Sequence, residues 1–130
     1  MLCLNRRSHN QKVYYHKCIC TGADLHYEGS IAIDQSLMEM ANIHEFEKVH
    51  VWNKTNGSRH ETYAIKAPPG SGEITVNGAA AHLVNKGDDL IIATFTMMDE
   101  SKVASHKPIV VNDQRQITKK SVILSNKALR

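Results

Sequence analysis

Val49-His50-Val51-Trp52-Asn53-Lys54-Thr55, then Asn56-Gly57, then Ser58-Arg59-His60-Glu61-Thr62-Tyr63-Ala64-Ile65 reads as a β-hairpin. Two runs rich in β-branched and aromatic residues flank an Asn-Gly pair, and that pair favours a type I′ turn because both residues tolerate positive φ. Upstream, residues 12–21 are β-formers with no interior Gly or Pro and predict another strand, ended by Gly22-Ala23-Asp24. Leu25, His26 and Tyr27 predict a short strand, and Glu28-Gly29-Ser30 a turn feeding an extended Ile31-Ala32-Ile33. Asp34 is placed to cap a short helix carrying Leu37, Met38 and Ala41 on one face, with Asn42 as its stop.

Downstream of the hairpin, Pro68-Pro69-Gly70-Ser71-Gly72 is a loop and residues 73–76 are a strand. Asn77-Gly78-Ala79-Ala80-Ala81-His82-Leu83-Val84 predicts a turn running into one or two helical turns, ended by Asn85-Lys86-Gly87-Asp88. Residues 90–96 predict a buried strand, and Ile109-Val110-Val111 and residues 117–124 weaker β segments. Six or more short strands with two short helices imply a mainly β fold, a small barrel.

At 130 residues the chain is expected to be a single domain, residues 1–130, with one core. A 42% hydrophobic and 22% charged composition is ordinary for a soluble globular protein. The longest apolar run, Leu90-Ile91-Ile92-Ala93, is far short of the roughly 20 residues that cross a bilayer, so no membrane is expected. In Met1-Leu2-Cys3-Leu4-Asn5-Arg6-Arg7 the charges follow a very short apolar patch, the reverse of a secretory signal, which points to the cytoplasm. Three cysteines without a CxxC pair read as packing residues, with no metal site expected. A net charge of +3 is mild. Arg115, Lys119, Lys120, Lys127 and Arg130 lack interleaved aromatics, so residues 112–130 read as a flexible, solvated tail and no nucleic acid is expected.

Gly29-Ser30 carries the chemistry. A serine directly after a glycine can attack the preceding carbonyl, turning the amide into an ester whose elimination leaves a ketone-bearing amino terminus. Gly29, without a Cβ, is expected to crowd that attack least and to tolerate a strained turn. The same dipeptide is also ordinary turn chemistry. Of the other side chains, Arg59 reads as a carboxylate clamp or a surface residue beside a hairpin turn, and Tyr63 as a core β-strand tyrosine.

Tyr27-Glu28-Gly29-Ser30, Ile33-Asp34, Trp52-Asn53-Lys54-Thr55-Asn56-Gly57, Arg59, Glu61-Thr62-Tyr63 and Asn77-Gly78-Ala79-Ala80-Ala81-His82 together resemble the aspartate 1-decarboxylase family, without a gap over about residues 21–95. The resemblance implies a double-psi β-barrel assembled as a homotetramer with active sites between subunits. It implies cleavage between Gly29 and Ser30 into chains 1–29 and 30–130, the second starting with a covalent pyruvoyl cofactor derived from Ser30. It further implies decarboxylation of L-aspartate to β-alanine, for pantothenate and coenzyme A synthesis, through a Schiff base on that group. Tyr63 matches the family's proton donor. Arg59, Thr62, Asn77, Gly78, Ala79 and Ala80 match its substrate-binding positions, and His16 and His82 its histidines near the site. Where the family carries a lysine two residues before the first histidine, this chain has Tyr14, with Lys12 and Lys17 nearby. The departure bears on the substrate rather than on cleavage. Two alternatives follow: the same chemistry on a different amino acid, or an unprocessed barrel serving as a binding module.

Overall fold

A computed structural model describes the backbone of residues 7–111 and the side chains of residues 18–111. The expected hairpin is present as β4 (Lys48–Asn53) and β5 (Arg59–Ala67), with Trp52 opposite Arg59 and Lys48 opposite Tyr63. Its turn is wider than type I′. The Asn53 side-chain oxygen accepts from the backbone N–H of Thr55 at 2.9 Å and of Asn56 at 3.3 Å, and the Asn53 carbonyl accepts from Gly57 at 2.8 Å. Gly57 takes φ +80° while Asn56 keeps negative φ, so the local side-chain bonds of Asn53 replace the two-residue turn with a wider one.

The first strand, β1 (Arg7–Ile19), is longer than its sequence pattern indicates. The next, β2, is Gly22–Asp24, parallel to β6 (Ile74–Asn77), and the strand expected over Leu25-His26-Tyr27 is absent. Asp24 explains the shift: its carboxylate accepts from the His26 N–H at 3.0 Å, and this Asx turn ends the strand where the β-formers would have continued it. The turn leads into β3 (Ser30–Asp34), which is buried throughout. The predicted helix follows as α1 (Gln35–Ala41), with Asn42 left-handed at its end. Gly78–Leu83 winds as a 3-10 helix, followed by β7 (Asp89–Asp99), a single turn α2 (Glu100–Val103) and β8 (Ile109–Val111). The β segment expected at 117–124 and the tail expected at 112–130, with its basic residues, lie outside the described residues.

Among the described residues the strands form one sheet in the order β2-β6-β3-β5-β4-β7-β1-β8. β1 and β2 stand near opposite ends of that order, yet only Cys20 and Thr21 join them. The sheet must therefore curl back on itself. Hydrogen bonds close the seam: Thr21 N–H donates to the Ile74 carbonyl at 2.7 Å, Cys20 N–H to Asp88 at 2.9 Å, and Gly87 N–H to Cys20 at 2.7 Å. Parallel pairs β3/β5 and β2/β6 alternate with antiparallel neighbours. The result is mainly β, a small double-psi β-barrel with short helices.

Period-two burial along β4 sends Val49 and Val51 inward, where they meet Ile31, Ile33, Val76, Leu90 and Ile92. Leu37, Met38 and Ala41 of α1 close one end of this core. Cys18 and Cys20 are buried thiols outside any disulfide, packed as expected, with Cys18 Sγ donating to the Leu90 carbonyl and Cys20 Sγ to that of Gly22, and burial pushes the Cys18 thiol well above its ordinary pKa. Among the described residues no helix is long and apolar enough to cross a membrane.

Candidate functional site

Ser30 opens β3 and pairs with Asn77, the last residue of β6. It is 1% exposed and has φ +116°, a region that side-chain-bearing residues rarely occupy and that costs about 1–3 kcal/mol. The Asn77 amide donates to the Ser30 hydroxyl oxygen at 3.2 Å, fixing Oγ in place. Asn77 is thus a strand residue, where the sequence suggested a turn, and its side chain does not cap the helix that follows.

The next residue supplies the floor. Gly78 has φ +74°, and a Cβ there would lie 2.8 Å from the Gly29 nitrogen, 2.9 Å from the Gly29 Cα and 3.1 Å from the Tyr27 carbonyl oxygen. Only glycine lets the Tyr27–Gly29 backbone settle so close. At Gly29 itself a Cβ would meet nothing within 4 Å outside its two chain neighbours, and the strained, positive-φ backbone expected there lies at Ser30 instead. Crowding and strain sit on its two neighbours in space and chain.

A cleft of about 490 Å³ opens beside Ser30, lined also by His26, Tyr27, Phe46, Tyr63 and Ile65. The parallel register of β3 with β5, Ile31 opposite Ala64, carries Ser30 alongside Tyr63 when extended by one residue. Tyr63 is 41% exposed, and its ring meets that of Phe46 at a centroid distance of 6.4 Å. Phe46, with φ +68°, is a cleft residue the sequence reading missed. It lies between helix and hairpin, where no periodicity marks it; its backbone bond to the Ala64 carbonyl, 2.7 Å, holds it there.

Other candidates stand elsewhere. Arg59 lies 5.2 Å over the Trp52 ring, lining a second cleft of about 280 Å³ with His50, His60 and Glu61, apart from the Ser30 cleft. Arg59 and Tyr63 are separated along β5 by roughly 13 Å. Lys48 at 3.0 Å holds the Glu61 carboxyl below its usual pKa, and burial lowers that of His60. Thr62 points to the face of β5 opposite Tyr63 and is partly buried. Ala79 is exposed and Ala80 packs against the core, while Gly78 abuts the Tyr27–Gly29 backbone. The Tyr14 backbone pairs with Ala93 and Val110 in mid-sheet; its side chain and those of Lys12, His16 and Lys17 lie outside the described residues.

A strained, immobilised serine after a glycine, at the mouth of a cleft with a tyrosine, fits a residue poised to convert into a ketone. The sequence pattern of the aspartate decarboxylase family matches residues 6–119. The chain belongs to that family. Similar members of the aspartate decarboxylase family include aspartate 1-decarboxylases from three bacteria. That of Methylibium petroleiphilum is 53% identical over 96 residues, 74% of this chain and 80% of the relative. That of Acinetobacter baumannii is 52% identical over 100 residues, 77% and 79%. That of Rhodopirellula baltica is 47% identical over 105 residues, 79% and 67%.

Proposed function

We propose that this chain is a carboxy-lyase that converts L-aspartate to β-alanine and carbon dioxide, supplying pantothenate synthesis in the cytoplasm, after cutting itself between Gly29 and Ser30. The observation that carries the reading is Ser30 itself: buried, at φ +116°, with Oγ held by Asn77 at the cleft that Tyr63 lines. Ser30 Oγ adds to the Gly29 carbonyl carbon, the C–N bond breaks, and the hydroxyl proton passes to the nitrogen, leaving an ester. Elimination removes the Ser30 Cα proton, breaks the Cβ–Oγ bond and frees Gly29 as a carboxylate. Water then adds, ammonia leaves, and residue 30 carries a ketone. Strain at Ser30 favours this sequence because cleavage relieves it.

The pyruvoyl group so formed supplies an electrophilic carbonyl for the substrate amine and an electron sink for departure of the α-carboxylate. Tyr63, in the same cleft, returns a proton to the carbon that has lost carbon dioxide. Arg59 grips a substrate carboxylate through two hydrogen bonds. Its distance from the Ser30 cleft of its own chain suits service to a neighbouring copy, in a homotetramer with sites between subunits. Thr62, Asn77, Gly78, Ala79 and Ala80 complete the substrate-binding set.

A denaturing gel and intact mass test this. Wild type is expected to give two chains, 1–29 and 30–130 with a terminal ketone, and Ser30→Ala to remain whole. A wild-type chain that stays intact with its serine amine blocked in a peptide bond sinks the reading. Tyr63→Phe is expected to process normally and to lose about 100-fold in kcat. Carbon dioxide release across a panel of amino acids tests the aspartate assignment, which Tyr14 makes the sharper question.

A further inference from the structure

The 3-10 helix over Gly78–Leu83 presents Gly78 against the Tyr27–Gly29 backbone that leads into the peptide proposed to be cut, yet little in the helix itself holds it there. It is six residues long, its N-terminal end has no side-chain cap, and only Gly78 and Ala81 are buried. Short 3-10 helices have poor internal hydrogen-bond geometry and no length over which to gain cooperativity. Its position must come from its ends. At the far end the Leu83 carbonyl accepts from three side chains of one hairpin: Ser58 Oγ at 3.0 Å, Asn56 Nδ2 at 2.9 Å and Asn53 Nδ2 at 3.3 Å. Asn53 Nδ2 also donates to Asp88 at 2.8 Å, and Thr55 Oγ1 accepts from the Asp89 N–H at 3.0 Å, tying the same hairpin tip to the segment after the helix.

We propose that Asn56 and Ser58, at the tip of the β4–β5 hairpin, are positioning residues for cleavage at Gly29–Ser30, acting through the 3-10 helix. The helix is a strut of about 10 Å, five steps of about 2 Å each. Anchored at Leu83, it presses Gly78 against Gly29 and Tyr27; released, it lets that contact open and the scissile carbonyl drift from Ser30 Oγ. A displacement of a few tenths of an ångström matters, because a Cβ-sized object already does not fit. Loss of alignment acts on rate far more than on stability.

This rests on the self-cleavage reading above, and its experiment separates the two. Asn56 and Ser58 stand at the surface of a turn, so Asn56→Ala/Ser58→Ala is expected to fold and to melt close to wild type. The double variant should cleave about ten-fold more slowly, the rate equivalent of one net hydrogen bond lost from the reactive geometry. Restoring a hydroxyl with Asn56→Ala/Ser58→Thr should recover part of the rate. Ser36→Ala, which removes an acceptor for Gly70 N–H at another surface turn, serves as control and should cleave as wild type. Cleavage is followed by gel from freshly made intact chain, so activity of the processed enzyme does not enter. A double variant that cuts at the wild-type rate, or a Ser36→Ala control equally slowed, overturns the inference alone. A wild type that never cuts overturns both.

Discussion

Two helices follow two neighbouring strands of the barrel, and each is entered through an Asx residue used in opposite ways. At α1, the Asp34 carboxylate accepts from Ser36 N–H at 2.8 Å, Gly70 N–H at 3.0 Å and Gly72 N–H at 2.7 Å, capping the helix and fastening the 68–72 loop. Burial works against its charge, but the donors of Gly72, Ser36 and Gly70 outweigh that and hold the carboxyl below its usual pKa. At the 3-10 helix, Asn77 leaves the helix end uncapped and turns its amide to Ser30. One position secures the fold; its counterpart leaves its helix uncapped and holds the Ser30 hydroxyl, the nucleophile of the proposed cleavage.

Substitutions at these ends should separate the two roles. The largest effect is expected from Gly78→Ala: a left-handed backbone and a Cβ against Gly29 should slow cleavage by about 100-fold or more, read by gel. Asn77→Ala should slow cleavage by about ten-fold while barely moving the melting temperature. The contrast breaks if it melts early and cuts normally. Asp34→Ala should do the reverse, destabilising by about 2 kcal/mol in denaturant unfolding with cleavage unchanged at permissive temperature. The smallest and most specific effect is in pH. Because the folded carboxyl has the lower pKa, its contribution is full above the unfolded value of about 3.9 and is lost as pH falls through the folded one. The stability gap between wild type and Asp34→Ala should narrow only below about pH 4; a gap that closes near neutrality would falsify the assignment.

Local chemistry made much of this legible. Asp34 and Asn42 bound α1 as their side chains and backbone preferences dictate, and the β-rich runs around Asn56-Gly57 pair as a hairpin. Where a nearby side chain competed for backbone N–H groups, local reading went astray: Asn53 widened the hairpin turn and Asp24 ended a strand early. The site was legible as residue types and spacing, since Gly29-Ser30 and Tyr63 carry recognisable chemistry. Its geometry was not. That Gly78 must be a glycine for reasons of space and that Phe46 joins the cleft depend on segments far apart in sequence, whereas Arg59 meets Trp52 through their pairing across the hairpin.

The order of strands has a consequence for a chain cut after Gly29. β2 and β3 are joined by the segment that holds the proposed cleavage point but are not neighbours in the sheet, since β6 lies between them. Cutting that link touches at most the terminal rung, Ser30 opposite Asn77, and leaves Ile31, Ala32 and Ile33 paired with Val76, Thr75 and Ile74. The first 29 residues would remain threaded through the barrel, β1 between β7 and β8 and β2 against β6, as one half of a complementation pair. The proposed maturation would resemble removing a staple from a bound book: the pages would keep their order, and a new free end would appear beside the cleft.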